Sequence, residues 1–134
     1  MPICVGMRAR AEAVVTNDNT AISAGSGTLP VFATPYMCAL MEEAAWKAIA
    51  PELSEGDSSV GTKLSISHIA ASPIGIKVWA ESEVTAVDGK RIEFKVSAYD
   101  EVGLIGEGTH ERFIVTSDRF LARTEKKLDS KRLG

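Results

Sequence analysis

Apolar and polar positions change their period twice along this chain, and the changes mark out its elements. Between Arg8 and Thr16, Ala9, Ala11, Ala13 and Val15 alternate with Arg8, Arg10 and Glu12. That period of two predicts a half-buried strand. The Asn-, Ser- and Gly-rich run TNDNTAISAGSGT predicts a loop. Its GSG lacks the strong preceding strand and glycine-rich continuation that a phosphate cradle needs. The alternation then gives way to ATPYMCALMEEAAWKAIAP. This stretch predicts a helix with Thr34 as N-cap, Pro35 in the first helical position and Pro51 as its stop. Only Glu42, Glu43 and Lys47 are charged within it, so most of its surface should be buried.

After a linker, ELSEGDSS, the period of two returns and persists. Thr62 to Ala70 sets Leu64, Ile66, His68 and Ala70 against Lys63, Ser65 and Ser67. SPIG predicts a turn, and IKVWAESEVTAV alternates Ile76, Val78, Ala80 and Val84 with Lys77, Glu81 and Glu83. Asp88-Gly89 is a hairpin signal. RIEFKVSAYD then turns Ile92, Phe94, Val96 and Ala98 inward, and a turn near Glu101 to Gly103 leads into a last strand, LIGEGTHERFIV. One strand, one long helix and four hairpin-linked strands predict an α+β domain in which a single helix faces one antiparallel sheet. Residues 1–116 form that domain in this reading. Residues 117–134, SDRFLARTEKKLDSKRLG, mix both signs of charge and predict a frayed helical or disordered tail.

Composition narrows the function. A chain of 134 residues with 45% hydrophobic and 25% charged positions suits one globular domain. A formal net charge of −3 gives no whole-protein attraction to nucleic acid or acidic membranes. No apolar run approaches the roughly 20 residues that span a bilayer, and MPICVGMRAR lacks the pattern of a signal peptide. Cys4 and Cys38 read as reduced thiols, so a cytoplasmic protein is expected. The widely spaced histidines and cysteines show no metal-ligand spacing. There is no G-x-S-x-G elbow.

The paired glutamates of the helix are not equivalent. Glu43 lies four residues before Lys47, the favourable orientation for an ion pair on a solvated face. Glu42 is turned about 100° away, with Cys38, Ala39, Ala45 and Trp46 as its helical neighbours. An ionised carboxylate buried there without a partner costs several kcal/mol. It must find a distant donor, meet water in a cleft or take up a proton. His68 is the expected company, since its strand face should meet the helix and an imidazole can donate to a carboxylate. Alone, His68 reads as a core histidine satisfied by backbone. Paired with Glu42, it becomes a candidate site. Thr34 reads first as a cap, although it also sits where helix N–H groups favour developing negative charge. His110 and Arg112 share a strand face with Gly106 and Gly108 and read as a polar edge.

The runs VFATPYMCALMEEAAWKAIAPEL, SSVGTKLSISHIAASPIGIKVWAESEVTAVDGKRIEFKVSAYD and IGEGTHERFIV resemble the hotdog-fold acyl-CoA thioesterases, and most of all the fluoroacetyl-CoA thioesterase group. The resemblance spans roughly Val31 to Val115. It implies a curled antiparallel sheet wrapped around one long helix, and a homodimer with acyl-CoA clefts at its interface. It implies that Thr34, Glu42 and His68 are catalytic, with Glu42 as nucleophile or as base for a water. Gly61 would offer a backbone N–H to the thioester oxygen, and Arg112 would help to hold the cleft or the CoA moiety. No metal or bound cofactor is implied, CoA being part of the substrate. AISAGSGTLP, however, carries no aromatic residue that could lid a tiny acyl pocket, which leaves the acyl group open. Two other readings remain: a hotdog hydratase or dehydratase, which usually pairs an Asp with a His, and a non-catalytic acyl-CoA binding module.

Overall fold

A computed structural model describes residues 2–133. Strand β1 (Arg8–Val14) is followed by a short helix α1 (Ala21–Ala24) and the long helix α2 (Thr34–Ile49), which runs into a 3-10 turn at Ala50–Glu52. Strands β2 (Asp57–His68), β3 (Lys77–Asp88), β4 (Arg91–Asp100) and β5 (Leu104–Thr116) follow, and helix α3 (Ser117–Leu133) ends the chain. The five strands make one antiparallel sheet in the order β1-β3-β4-β5-β2, which leaves β1 and β2 at its edges. The sheet is curled around α2, the hotdog arrangement expected from the sequence.

The alternation of the sequence is the alternation of burial. Ala11, Val78, Ala80, Val84, Ile92, Phe94, Val96 and Ala98 face inward and pack on Met37, Leu40, Met41, Ala44, Ala45, Ala48 and Ile49 of α2. Asp88 pairs with Arg91 across the β3–β4 hairpin, and Gly89 in its tip has φ 61°, a left-handed geometry that glycine takes without strain. Two boundaries differ from expectation. The loop before α2 contains α1, because Thr20 accepts a hydrogen bond from the Ser23 N–H and Gly25 closes the turn in left-handed geometry. The last three residues of the expected linker, Asp57 to Ser59, are strand, since β2 begins at Asp57 rather than Thr62.

A β-bulge explains that early start and also sets up the site. Gly61 pairs with Arg112, and Lys63 with Glu111, so Thr62 is the extra residue. Without it, a period of two would put Ser59 and Gly61 on the face opposite to Leu64, Ile66 and His68. With it, all five face α2. The charged tail is helical, carried by exposed residues, and joined to the sheet where Ser117 N–H bonds to the Gly56 carbonyl. No helix among the described residues is long and apolar enough to cross a membrane.

A fully buried polar bond helps to fix α2 to the sheet: Ser82, buried at 3% exposure on β3, donates to the Ala44 carbonyl at 2.7 Å. Ser82→Ala should therefore lower unfolding stability by about 1 kcal/mol, the net worth of one buried hydrogen bond, since the Ala44 carbonyl keeps its helical partner. Urea denaturation checks this, and an unchanged midpoint would show that this bond adds nothing to the apolar packing of the helix.

Candidate active site

Two clusters of polar side chains line α2, one at its start and one two turns later. At the start, Thr34 is the first helical residue, but it is not the cap. Ala33 takes that position and makes no side-chain capping bond. The Thr34 hydroxyl is thereby free, and its Oγ1 lies 2.7 Å from His68 Nδ1. His68 ends β2 opposite Gly106, where a Cβ would lie only 2.6 Å from Met37 Sδ. The missing side chain is what lets the helix approach the sheet here. Burial pushes the His68 pKa below its ordinary value, against the opposing pull of the Ala70 carbonyl. Its Nε2 is enclosed and makes no hydrogen bond among the described residues.

The segments carrying Thr34 and His68 are tied to each other through a buried serine. Phe32 N–H donates to the Ser72 carbonyl at 2.9 Å, and Ser72 Oγ donates to Asp100 Oδ2 at 2.8 Å. Asp100 Oδ1 accepts in turn from the Val102 and Gly103 N–H groups of the β4–β5 turn. Burial alone would raise the Asp100 pKa, but these donors hold it below the ordinary carboxylate value. A cleft of about 340 Å³ opens beside Thr34 and His68, walled by Ala21, Ser26, Val31, Ile69 and Ala70.

The second cluster gathers around Glu42. Its Oε2 is 3.8 Å from Arg112 Nη1, with side-chain exposures of 42% and 8%. Glu42 also lies against the backbone of Gly61: a Cβ there would sit 2.7 Å from Oε2, 3.2 Å from the His110 ring and 3.4 Å from Arg112 Nη1. Arg112 is tethered from behind. Its Nε donates to Ser59 Oγ at 2.8 Å and its Nη2 to the Ser59 carbonyl at 2.9 Å. Nη1 lies 3.2 Å from His110 Nε2, while His110 Nδ1 meets the Lys63 carbonyl at 2.8 Å. A second cleft, of about 620 Å³, opens from Arg112 and Ser59 toward Trp46.

All five residues singled out in the sequence therefore lie at polar clusters, but not as one group. Thr34 meets His68; Glu42 meets Gly61 and Arg112. No hydrogen bond or ion pair among the described residues joins Glu42 to His68, the partner expected for it. Nor is Glu42 sealed in: it sits half-exposed on the flank of α2, with the Arg112 guanidinium as a counter-charge at 3.8 Å. Glu43 pairs with Lys47 at the surface as expected. The expected polar edge is the largest correction. His110 and Arg112 are buried, on the face of β5 that they share with Gly106 and Gly108, and the pairing of β2 with β5 encloses them.

Comparison with known proteins places this geometry. Residues 15–118 match the family model of the fluoroacetyl-CoA-specific thioesterases. The chain belongs to the fluoroacetyl-CoA-specific thioesterase family. It is 43% identical over 97 residues to the fluoroacetyl-CoA thioesterase of Streptantibioticus cattleyicolor, covering 72% of this chain and 70% of that one. The solved fluoroacetyl-CoA thioesterase FlK superposes with a TM-score of 0.90 at 36% identity, over 95% of this chain and 98% of that one. A thioesterase-superfamily member from Thermus thermophilus superposes with a TM-score of 0.91 at 31% identity, over 99% and 98% of the two chains. This thioesterase is thus an acyl-CoA thioester hydrolase on a hotdog scaffold.

Both histidines of the thioesterase respond to burial in the same sense. Desolvation pushes the His110 pKa down, the Lys63 carbonyl opposes it and Arg112 adds to it. A histidine whose folded pKa is lowered leaves the unfolded chain binding more protons between that value and about 6.5. The stability due to neutral His68 and His110 is therefore complete above about pH 6.5 and lost as pH falls through their lowered values. Urea midpoints measured downward from pH 8 should decline once pH passes below about 6.5. Midpoints that rise across that window would contradict the burial of both rings.

Proposed function

We propose that this thioesterase hydrolyses a short acyl-CoA with Glu42 as its reactive carboxylate, in a cleft completed by a second copy of the chain. One observation carries the reading. Each cluster holds only part of what thioester hydrolysis needs. The Thr34–His68 pair has an imidazole and a hydroxyl but no carboxylate. The Glu42–Gly61–Arg112 cluster has the carboxylate and a backbone that an oxyanion could approach.

Eight residues separate Thr34 from Glu42, about 12 Å along the helix. Cys38 lies midway between them, and 34, 38 and 42 share one flank of α2. A twofold axis near Cys38 would set Thr34 and His68 of one copy opposite Glu42, Gly61 and Arg112 of the other. Exposed Tyr36 and Trp46 on the same helix, and the unpaired edge of β2, are surfaces such a dimer would cover.

In this cleft Glu42 acts at the thioester carbonyl in one of two ways. As nucleophile, its oxygen displaces the CoA thiolate and leaves a mixed anhydride, which water then cleaves. As base, it takes the proton of the water that attacks. In both routes Gly61 N–H faces the developing oxyanion, and the neutral His68 ring, oriented by Thr34, sits where the leaving thiolate gains its proton. The chemistry uses side chains and water, with no resident metal or cofactor. A solved mutant of FlK holds fluoroacetate and CoA, which supports an acyl-CoA substrate here. The Thr34–His68 cleft is lined by Ala21, Ser26, Ala70 and Ala71 together with Val31, Phe32 and Ile69, so we expect acetyl and other short acyl groups to be accepted besides fluoroacetyl. The free cysteines suit a reducing cytoplasm.

Two neighbouring substitutions test the assignment. Glu42→Gln should reduce turnover of acetyl-CoA by about a hundredfold or more while the protein stays folded, since Arg112 keeps its bonds to Ser59 and His110. Glu43→Gln removes only an exposed ion pair, so it should change stability by a few tenths of a kcal/mol and leave turnover nearly intact. The reverse pattern, with Glu43→Gln inactive and Glu42→Gln active, would place the chemistry on the other face of the helix.

A further inference from the structure

The Arg112 guanidinium stops short of Glu42, and its tethers explain why. An arginine and a carboxylate free to meet form paired hydrogen bonds at about 2.7–2.9 Å. Here the closest approach is 3.8 Å, while three contacts pull the guanidinium the other way. Two of those go to Ser59. The third goes to His110, and its direction can be assigned. The Lys63 carbonyl can only accept, so His110 Nδ1 carries the proton and donates to it. A neutral ring then has a bare Nε2, and Arg112 Nη1 donates to it. Phe94 stacks against the ring at 5.9 Å between centroids and fixes its plane.

We propose that His110 is a positioning residue for hydrolysis: locked as its Nδ1–H tautomer by the Lys63 carbonyl, it accepts from Arg112 and, with Ser59, holds that guanidinium back from a closed ion pair with Glu42. The proposal rests on Glu42 being the reactive carboxylate. A carboxylate clamped in two short hydrogen bonds would be a poorer nucleophile and a poorer base. Held at 3.8 Å, Arg112 supplies positive potential without occupying the oxygen that reacts.

The charged groups around His110 agree with a neutral ring. Arg112 beside it on β5 opposes protonation, Glu42 from α2 and Glu111 on β5 favour it, and burial opposes it most. Lys63 on β2 meets the ring through its carbonyl, and β4 presents an apolar Phe94. Protonation would destroy the acceptor and set a second cation against Arg112.

The test combines a tautomer measurement with isosteres. The chain has only two histidines, so ¹⁵N NMR of histidine-labelled protein gives two rings, and His110→Gln identifies which is which. His110 should show a protonated Nδ1 and a bare Nε2 at pH 8. Among variants, Gln places a carbonyl oxygen near the Nε2 position, Asn reaches only the Nδ1 position, and Leu offers neither. With acetyl-CoA and a thiol reagent, His110→Leu and His110→Asn should lose about ten- to a hundredfold in kcat, the scale of a misplaced catalytic group, with KM little changed. His110→Gln should recover most of that loss.

A protonated Nε2 at pH 8 would overturn the proposal, and it is read on the wild-type protein even if no variant folds. Equal kcat in the Gln, Asn and Leu variants would overturn it too, because packing alone does not distinguish Gln from Asn in this way. Glu42→Gln with full turnover would instead overturn the underlying site, an outcome the ring measurement does not share.

Discussion

Helix α2 can bury only one side of itself against a single curled sheet, and the rest of the molecule is arranged around that limit. Met37, Met41, Ala44, Ala45 and Ile49 fill the concave face. Their burial, at about 25 cal/mol per Å² of apolar surface, fixes the rotation of the helix. Once that rotation is set, the flank carrying Thr34, Cys38 and Glu42 is committed to a position between sheet and solvent. Everything polar near it then has to be matched by the strands it faces. The bulge at Thr62 keeps Ser59, Gly61 and His68 on one face, and Gly106 of β5 lets the helix come close. The site is thus a consequence of how the core is packed.

That dependence also shows which parts of the molecule the sequence could reveal. Alternation along β3 and β4 was legible because both strands have one wet and one dry face, and Asp88-Gly89 allows only a tight turn. The Glu42 and Glu43 distinction was legible because it needs only the 100° step of a helix and the position of Lys47. The bulge was not, since the serines before Val60 read as linker and the alternation that starts at Thr62 carries no mark of an inserted residue. Thr34 followed by Pro35 reads as a helix start, and the start is there, shifted by one residue. That shift turns a capping hydroxyl into a partner for His68. The buried roles of His110 and Arg112 needed the register of β2 against β5, a long-range pairing that local pattern does not encode.

The two clusters meet chemical requirements that conflict within one pocket. A histidine that must stay neutral is best kept from a neighbouring carboxylate, whose charge would raise its pKa. A carboxylate that must attack is best kept from a strong donor that would cap its oxygens. Within one chain His68 and Glu42 belong to separate clusters, and in the proposed dimer they would face each other only across the cleft between two copies. The same logic places Arg112 near Glu42 yet tied to Ser59 and His110.

The claim that the site is split between two copies is tested most directly by mixing defects. A Glu42→Gln chain and a His68→Asn chain, each inactive as a homodimer, are co-expressed with different tags, and the mixed dimer is isolated. In the arrangement described here, one of its clefts carries both substitutions and the other carries neither. The mixed dimer should therefore show about half the turnover of the wild-type dimer, as twofold symmetry requires. A mixed dimer as inactive as its two parents would show that each chain builds its whole site alone.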